Sequence, residues 1–491
     1  MREFRISITS LSFLLASVLE IYTLLAVASI ASLVVFTIEI VLVFKEGFNN
    51  RFLLMSSLAC GFWLSLGFII SFIELSKLES ASFESLFDAI NLASVNVFTY
   101  SLAFFYSLIF LAVVTFLSRL RIIRKAELKF SNNVFNTLKS IRLSTNHATL
   151  WLSLVALLAT YFSMINIYGI RGLSEDVTTG GLPWWHPLAN STISLIPTLV
   201  ALSYDRRKKS RIYSTLLIIY SALLGLYYAS ITGRIALISY LFQLLLAFAL
   251  FNAKYIKTAF ITRVLLSIFI LIPVLFYLTS FLNYIRWLNI PINPSTFISL
   301  LIDFTNSDVS SANELQSENL LSRPLVLWPL AASISMVIDG TNHGFLGLLD
   351  IVNSSLNSLP KFLFPYKETL LLQENLLYNF FPFSTVDTAD SPVLYAFASF
   401  GILGLLVYPI FISLSYLLSI SFVSFFVSRM RNNFKYLACL IGVSSMISFS
   451  TDSYMELATT GIIRNFLQPV IIILIISLLA SFIDNYYLNK K

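Results

Sequence analysis

The sequence predicts an all-α fold, a polytopic transmembrane helical bundle of about 12 spans with one large, partly helical loop on the non-cytoplasmic side. Composition is the first reason, because 57% of the residues are hydrophobic, 12% are charged and the mean hydropathy is +0.83. Soluble proteins contain roughly 25% charged residues. The second reason is that apolar runs of about 20 residues, long enough to cross a bilayer, recur from end to end of the chain.

Charged loops bound most of the predicted spans clearly. These spans cover residues 52–73, 92–117, 147–168, 187–203, 212–230, 235–251, 264–283, 393–427, 436–450 and 466–483. The run 6–44 is ambiguous, because it lacks Pro and Gly yet exceeds one comfortable span. It forms either one helix or two short, tightly turned helices. Arg2 and Arg5 precede this run without a small-residue cleavage site, so we expect an uncleaved first helix.

The distribution of charge predicts the orientation. Cytoplasmic loops are enriched in Lys and Arg, and the most basic segment is 118–142. If 6–44 forms two helices, every basic loop and both termini lie in the cytoplasm, and most of the 25 acids lie outside. If it forms one helix, the N-terminus moves outside. The net charge of +7 therefore reflects topology, and because the basic residues are dispersed among short loops, no nucleic-acid partner is expected.

The predicted spans divide the chain into three regions. Residues 1–283 hold transmembrane helices 1–9, residues 284–391 form the large loop, and residues 392–491 hold transmembrane helices 10–12. Within the loop, segments 324–338 and 369–380 have apolar residues at helical spacing. We expect helices there, lying along the membrane interface.

Positively charged residues on the outer side run against the prevailing bias, and four of them are candidate ligands for a phosphate group. They are Arg171, Arg234, Arg286 and Arg464. Arg234 is the strongest, because it lies in a short turn between two spans, where its guanidinium is held near the membrane surface. A planar guanidinium binds phosphate oxygens in bidentate fashion. The alternative for each is an interfacial anchor or an ion pair with a loop acid.

Asp387 and Asp390 form the second candidate group, at the end of the large loop. Two carboxylates three residues apart face one way on a helix, and a carboxylate at an apolar boundary suits general-base work. The alternative is structural: Asp390 or Ser391 caps the next helix, with Pro392 in its first turn. The spacing could also hold a divalent cation, but nothing else in the sequence marks a metal site.

Other chemically active residues are few. His343, in the large loop, is a candidate base or hydrogen-bond donor, with a turn residue as the alternative. Glu20 and Glu39 lie in apolar sequence, where ionisable groups are usually paired and often functional. The two cysteines lie inside apolar runs, so they offer neither a disulfide framework nor a thiol metal site. No P-loop, serine-hydrolase or zinc-protease motif occurs, and no cofactor is expected.

Two stretches resemble motifs of a known family. The segment from Thr232 to Ile238 resembles the turn of a small residue followed by Arg that precedes a helix in the bacterial O-antigen polymerase (Wzy) family and the related O-antigen ligases. The segment from Phe400 to Leu406 resembles their Gly-containing helix after the large loop. The layout, with many spans and one dominant periplasmic loop, is similar too.

This resemblance implies a multi-pass protein of the bacterial inner membrane that transfers a glycan from an undecaprenyl diphosphate carrier to another lipid-linked repeat unit. The outer arginines would bind the diphosphate, and a chain-length regulator protein is a candidate partner. Ligases place a His-containing motif where this chain has Asp387 and Asp390, which favours the polymerase and leaves His343 without a match. A lipid-linked oligosaccharide flippase or other transporter, and a membrane scaffold or sensor, are the alternatives from other classes.

Overall fold

The structure, a computed structural model, is helical, and the described residues include no β-strand. The described residues are 22–45, 51–78, 97–140, 197–198, 200–202, 234–251, 281, 299, 302–304, 327–358, 373–381, 391–429 and 432–451. The all-α class is confirmed for this part of the chain. The number of spans, about 12, stays a prediction.

The longest helices follow the apolar runs of the sequence, and shorter helices lie between them. In chain order they are α1 (Tyr22–Lys45), α2 (Phe52–Leu78), α3 (Val97–Leu117), α4 (Arg121–Phe130), α5 (Asn136–Ser140), α6 (Arg234–Phe251), α7 (Leu327–Asp339), α8 (Leu349–Ser358), α9 (Gln373–Phe380), α10 (Pro392–Phe400), α11 (Gly404–Arg429) and α12 (Asn432–Thr451). A π-helical turn, Ser131–Phe135, joins α4 to α5, and a 3₁₀ turn, Gly401–Leu403, joins α10 to α11.

Most predicted spans that fall on described residues correspond to helices. The predicted spans 52–73, 92–117, 235–251 and 436–450 match α2, α3, α6 and α12. In the large loop, α7 and α9 lie where segments 324–338 and 369–380 predicted helices. The spans 147–168, 212–230 and 466–483, and the first half of the run 6–44, lie outside the described residues.

Three helical segments of the described part are long and apolar enough to cross a membrane: Val27–Phe44, Phe98–Leu117 and Pro392–Arg429, the last of which comprises α10, the 3₁₀ turn and α11. Their exposed apolar side chains recur on one helical face. On α11 this face carries Leu406, Ile410, Leu414 and Leu418, and on α1 it carries Val27, Ile30, Val34 and Ile38. A continuous apolar face along a helix of this length suits contact with lipid tails. The described helices therefore indicate a membrane protein.

The described residues divide into two compact units, and the first contains α1, α2 and α3 as antiparallel neighbours. It takes the described residues of 1–134, 318–430 and 448–467. Ser32 Oγ donates a 2.9 Å hydrogen bond to Ser65 Oγ between α1 and α2. Ser57 and Thr115 share a 3.0 Å hydrogen bond between α2 and α3. Small residues and hydroxyl bonds of this kind let apolar helices approach closely in a membrane.

Helix α7 is enclosed by other helices of the first unit. All residues from Pro329 to Ser335 are buried, and the helix packs against α3 and α10. A helix that is apolar around most of its circumference is stable only when other elements enclose it. A part of the large loop therefore belongs to the helical bundle.

The second unit takes the described residues of 135–317 and 431–447. Within it, Thr198 Oγ1 and Ser444 Oγ lie 2.8 Å apart in a buried hydrogen bond. The rings of Phe135 and Phe251 pack at a centroid distance of 5.4 Å. Helix α6 lies in this unit and begins at Arg234.

Candidate functional site

The described residues include only part of the predicted site. Arg171, Arg286, Arg464, Asp387, Asp390 and Glu20 lie outside them. Arg234 is the first residue of α6, but its side chain is not among those described. His343 is described, and Glu39 is a buried residue of α1. The roles predicted for the arginines and for the two aspartates therefore stay predictions.

The predicted span 393–427 is interrupted rather than continuous. Helix α10 begins after Ser391, whose side chain accepts a 3.0 Å hydrogen bond from the backbone N–H of Leu394, with Pro392 in the first turn. Of the two residues that the sequence offered as a cap, Asp390 and Ser391, the structure has Ser391 in that position. The helix ends at Gly401, which has φ 57° and ψ −132°. Only glycine adopts this backbone conformation readily, so Gly401 allows the chain to break here.

The two parts of the interrupted helix touch at Gly404. An added Cβ at Gly404 would overlap the backbone carbonyl of Ala396 and would come within 2.6 Å of Tyr106 Oη. The two residues are eight positions apart, so this close approach shows that the chain bends sharply between α10 and α11. A glycine is therefore needed at position 404 because a side chain has no space there, whereas a glycine is needed at position 401 because φ is positive.

The carbonyl groups at the end of α10 are hydrogen-bonded from elsewhere in the chain. The loop before α8 donates two backbone bonds, from Leu346 N–H to Ala398 O at 3.0 Å and from Gly347 N–H to Ser399 O at 2.9 Å. Tyr106 Oη, on α3, donates a 2.9 Å bond to Gly401 O. The amides of Leu346 and Gly347 supply donors to carbonyls in the last turn of α10. Tyr106 adds a second donor to Gly401 O, which also accepts from Gly404 N–H within the 3₁₀ turn.

Four aromatic rings fix this region. We call Tyr106, Phe345, Phe381 and Phe397 the aromatic cluster. Phe397 lies 5.4 Å from Tyr106 and 6.4 Å from Phe345 between ring centroids, and Phe345 lies 6.5 Å from Phe381. The cluster joins α3, the loop before α8, the end of α9 and α10. Phe381, which precedes segment 382–390, belongs to the cluster, and Ser391, which follows that segment, caps the helix that contains Phe397.

His343 lies beside the same cluster. Its backbone N–H donates a 2.8 Å hydrogen bond to Phe380 O, and its side chain is exposed. It sits in a turn after α7, bounded by Gly340 and Gly344, which both have positive φ. The structure therefore places the backbone of His343 beside Phe380, at the end of α9, and leaves the His343 side chain accessible.

A buried acid, Asp350, was missed by sequence reasoning. It is 0% exposed, and its Oδ2 accepts a 2.8 Å hydrogen bond from Tyr408 Oη and a longer one, 3.5 Å, from Ser399 Oγ. Asp350 thereby connects α8 to α10 and α11. No local pattern marks Asp350 as buried, because an acid in the first turn of an amphipathic helix is ordinarily a solvated residue.

A second buried acid lies on α4. Glu127 is 1% exposed and accepts a 3.0 Å hydrogen bond from Tyr416 Oη and a 3.2 Å bond from Arg124 Nη1. Burial raises the pKa of Glu127 to about 7, while the bonds from Tyr416 and Arg124 limit the rise. A signal for it exists in the sequence, because Glu127 shares a helical face with Ile123 and Phe130, the buried face of α4.

Among the described residues, no group of three or more His, Cys, Asp or Glu side chains is arranged to hold a metal ion. Comparison of the chain with protein-family models, with curated proteins and with solved structures found no match.

Proposed function

We propose that this protein is a membrane glycosyltransferase that polymerises undecaprenyl-diphosphate-linked oligosaccharide repeat units at the outer face of the bacterial inner membrane. The product would be an O-antigen or capsule-type polysaccharide. The observation that supports the proposal is the packing of the described residues on either side of the predicted catalytic segment. Phe381 belongs to the aromatic cluster, Ser391 caps the helix that contains Phe397, and the backbone of His343 bonds Phe380 O. A site held by packed elements keeps its reacting groups in a fixed geometry.

The proposed reaction uses the sugar–diphosphate bond as its source of free energy. Asp387 or Asp390 takes the proton from an acceptor sugar hydroxyl, and the oxygen attacks the anomeric carbon of the donor. The bond from that carbon to the diphosphate oxygen breaks, and undecaprenyl diphosphate leaves. Its negative charge is stabilised by guanidinium groups from Arg234, Arg286 and Arg464, with Arg171 as a further ligand. No nucleotide is needed at the outer face.

The large loop is proposed to exclude water from this reaction. Helix α7 packs against α10, the loop before α8 bonds the end of α10, and α9 packs against α8. A loop that is already packed against the bundle limits access of water to an activated donor, and so reduces wasteful hydrolysis. His343, exposed in the turn after α7, is the alternative base.

The test is the length of the glycan made by purified protein from lipid-linked repeat units. Wild type is expected to give a ladder, whereas Arg234→Ala and the double variant Asp387→Asn, Asp390→Asn are expected to leave single repeats. Arg429→Ala is the matched control, because Arg429 is an exposed arginine at the end of α11 whose guanidinium packs over Phe425. Unchanged ladders in the Arg234 and aspartate variants would reject the site.

A lipid-linked oligosaccharide flippase or other transporter is the second candidate, and the interrupted helix is the observation that favours it. Transporters commonly build substrate sites from discontinuous helices inside the bundle, and the break at Gly401 lies beside the buried acid Asp350. Movement of labelled lipid-linked repeats across proteoliposome membranes without chain growth would support the transporter. Transfer of a finished glycan to a lipid acceptor without laddering would support the O-antigen ligase.

A further inference from the structure

Helix α4 is held at the end of a membrane-spanning helix by a tight turn. The span Phe98–Leu117 ends three residues before α4 begins. In the turn, Arg119 N–H bonds Phe116 O and Leu120 N–H bonds Leu117 O, both at 3.0 Å. Ser118 Oγ donates a 2.7 Å bond to Thr115 O. A helix joined so closely to a span has no freedom to leave the surface of the membrane.

One face of α4 is used for packing inside the first unit. Ile123, Glu127 and Phe130 are buried. The ring of Phe130 lies edge-on to Phe52 at a centroid distance of 6.0 Å, and Glu127 bonds Tyr416. These contacts fix the rotation of α4 about its axis, and they thereby determine which residues face away from the protein.

The opposite face combines cations with exposed apolar side chains. We call Arg121, Ile122, Lys125, Leu128 and Lys129 the α4 basic face. Ile122 is 66% exposed and Leu128 is 50% exposed. The three cations are exposed, and none of them pairs with a carboxylate among the described residues, since the one acid of α4, Glu127, is turned inward to Arg124 and Tyr416.

We propose that the α4 basic face binds the headgroups of anionic phospholipids in the leaflet next to α4. Three cations that pair with no carboxylate among the described residues provide charge complementarity to phosphate groups, and basic residues on an amphipathic helix attract anionic lipids. Ile122 and Leu128 flank the cations on the two edges of this face and enter the acyl boundary. This combination favours a bilayer over a soluble anionic partner, which would gain nothing from exposed isoleucine and leucine at a membrane surface.

The test measures the binding of phosphatidylglycerol and phosphatidylcholine to the purified full-length protein by native mass spectrometry. Wild type is expected to bind phosphatidylglycerol at least about tenfold more tightly than phosphatidylcholine. Each cation removed is expected to lower the affinity for phosphatidylglycerol by about fivefold. The triple variant Arg121→Gln, Lys125→Gln, Lys129→Gln is expected to lose the preference. The charge-preserving triple Arg121→Lys, Lys125→Arg, Lys129→Arg and the single variant Arg429→Gln are expected to keep it.

Two further measurements make the result specific. The double variant Ile122→Ser, Leu128→Ser is expected to weaken phosphatidylglycerol binding, and inorganic phosphate is expected not to displace the lipid. All substituted residues are exposed, so thermal unfolding of each variant should match wild type. The proposal is overturned if wild type shows no preference, if the neutral triple keeps it, if Arg429→Gln loses it equally, or if inorganic phosphate displaces the lipid.

Discussion

Tyr408 on α11 donates a 2.8 Å hydrogen bond to Oδ2 of Asp350 on α8, and both residues are fully buried. The bond joins the large loop to the helix that follows the break at Gly401. Ser399, the penultimate residue of α10, donates to the same oxygen. One carboxyl group thus determines how three helices meet.

The first prediction concerns this carboxyl group. Asp350→Ala leaves the buried hydroxyls of Tyr408 and Ser399 without that acceptor, and we expect a loss of about 1–3 kcal/mol in the free energy of unfolding. Tyr408→Phe, which removes one donor, is expected to lose less. Thermal unfolding in detergent measures both. A double-mutant cycle should give a coupling of at least about 0.5 kcal/mol, and additive effects would show that the bond contributes nothing of its own.

The second prediction separates the roles of the two glycines at the bend. Gly404→Ala would drive a Cβ into the carbonyl of Ala396, which is backbone and cannot turn aside. Gly401→Ala places a residue with a side chain at φ 57° and brings its Cβ to 3.1 Å from the ring of Phe345. We expect Gly401→Ala to lower the free energy of unfolding by about 1–2 kcal/mol and Gly404→Ala to lower it by more. Equal melting temperatures for the Gly401→Ala and Gly404→Ala variants would contradict this prediction, because they would mean that the bend between α10 and α11 relaxes to accommodate the added Cβ at Gly404.

The third prediction is a dependence of stability on pH through Glu127. Its pKa is about 7 in the folded protein against an ordinary value of 4.5. The folded state therefore binds more protons than the unfolded state between these values, and stability falls as pH rises through this window. The stabilising contribution of protonated Glu127 is complete below the ordinary pKa of 4.5 and is lost above about pH 7. The free energy of unfolding changes by about 3 kcal/mol in total across this window.

The measurement for Glu127 is thermal unfolding at pH 5 and pH 8. Glu127→Gln keeps an acceptor for Tyr416 without a charge, and we expect it to reduce the difference between the two pH values. Asp339→Asn is the matched control, because Asp339 is exposed at the end of α7. The assignment to Glu127 fails if the glutamine variant keeps the full slope.

The fourth prediction concerns His343. Its backbone N–H bonds Phe380 O, and its side chain is exposed, so His343→Ala should change the free energy of unfolding by no more than about 0.5 kcal/mol. Glycan laddering by this variant then reports on chemistry alone. A lost ladder at unchanged stability would make His343 a candidate base, whereas a normal ladder would make it a turn residue.

Hydropathy placed the long apolar helices of the described part, but it missed α4, α5 and α8 and did not determine all of the helix ends. Helix α2 starts at Phe52 as the apolar run does, but it continues past residue 73 to Leu78. Glu74 and Lys77 are good helix formers, so the helix does not stop where the apolar run stops. A hydropathy boundary marks the limit of the apolar run, whereas a helix ends where capping and propensity require it.

The break at Gly401 could not be predicted from hydropathy, because Gly401, Ile402 and Leu403 are as apolar as their neighbours. What stabilises the break is tertiary: the N–H groups of Leu346 and Gly347 and the hydroxyl of Tyr106. The capping role of Ser391 was predictable, because Ser followed by Pro is a local signal. Asp350 was not, because its partners are distant in sequence.

The hydrogen bond from Tyr106 to Gly401 joins residues that are 295 positions apart. During synthesis, α3 is complete long before the ribosome reaches α10. The hydroxyl of Tyr106 and the amides of Leu346 and Gly347 are therefore synthesised before the carbonyl groups to which they donate. A chain that stops before residue 391 leaves these donors without their acceptors, and a nascent chain of that length is expected to be a preferred substrate for membrane quality-control proteases.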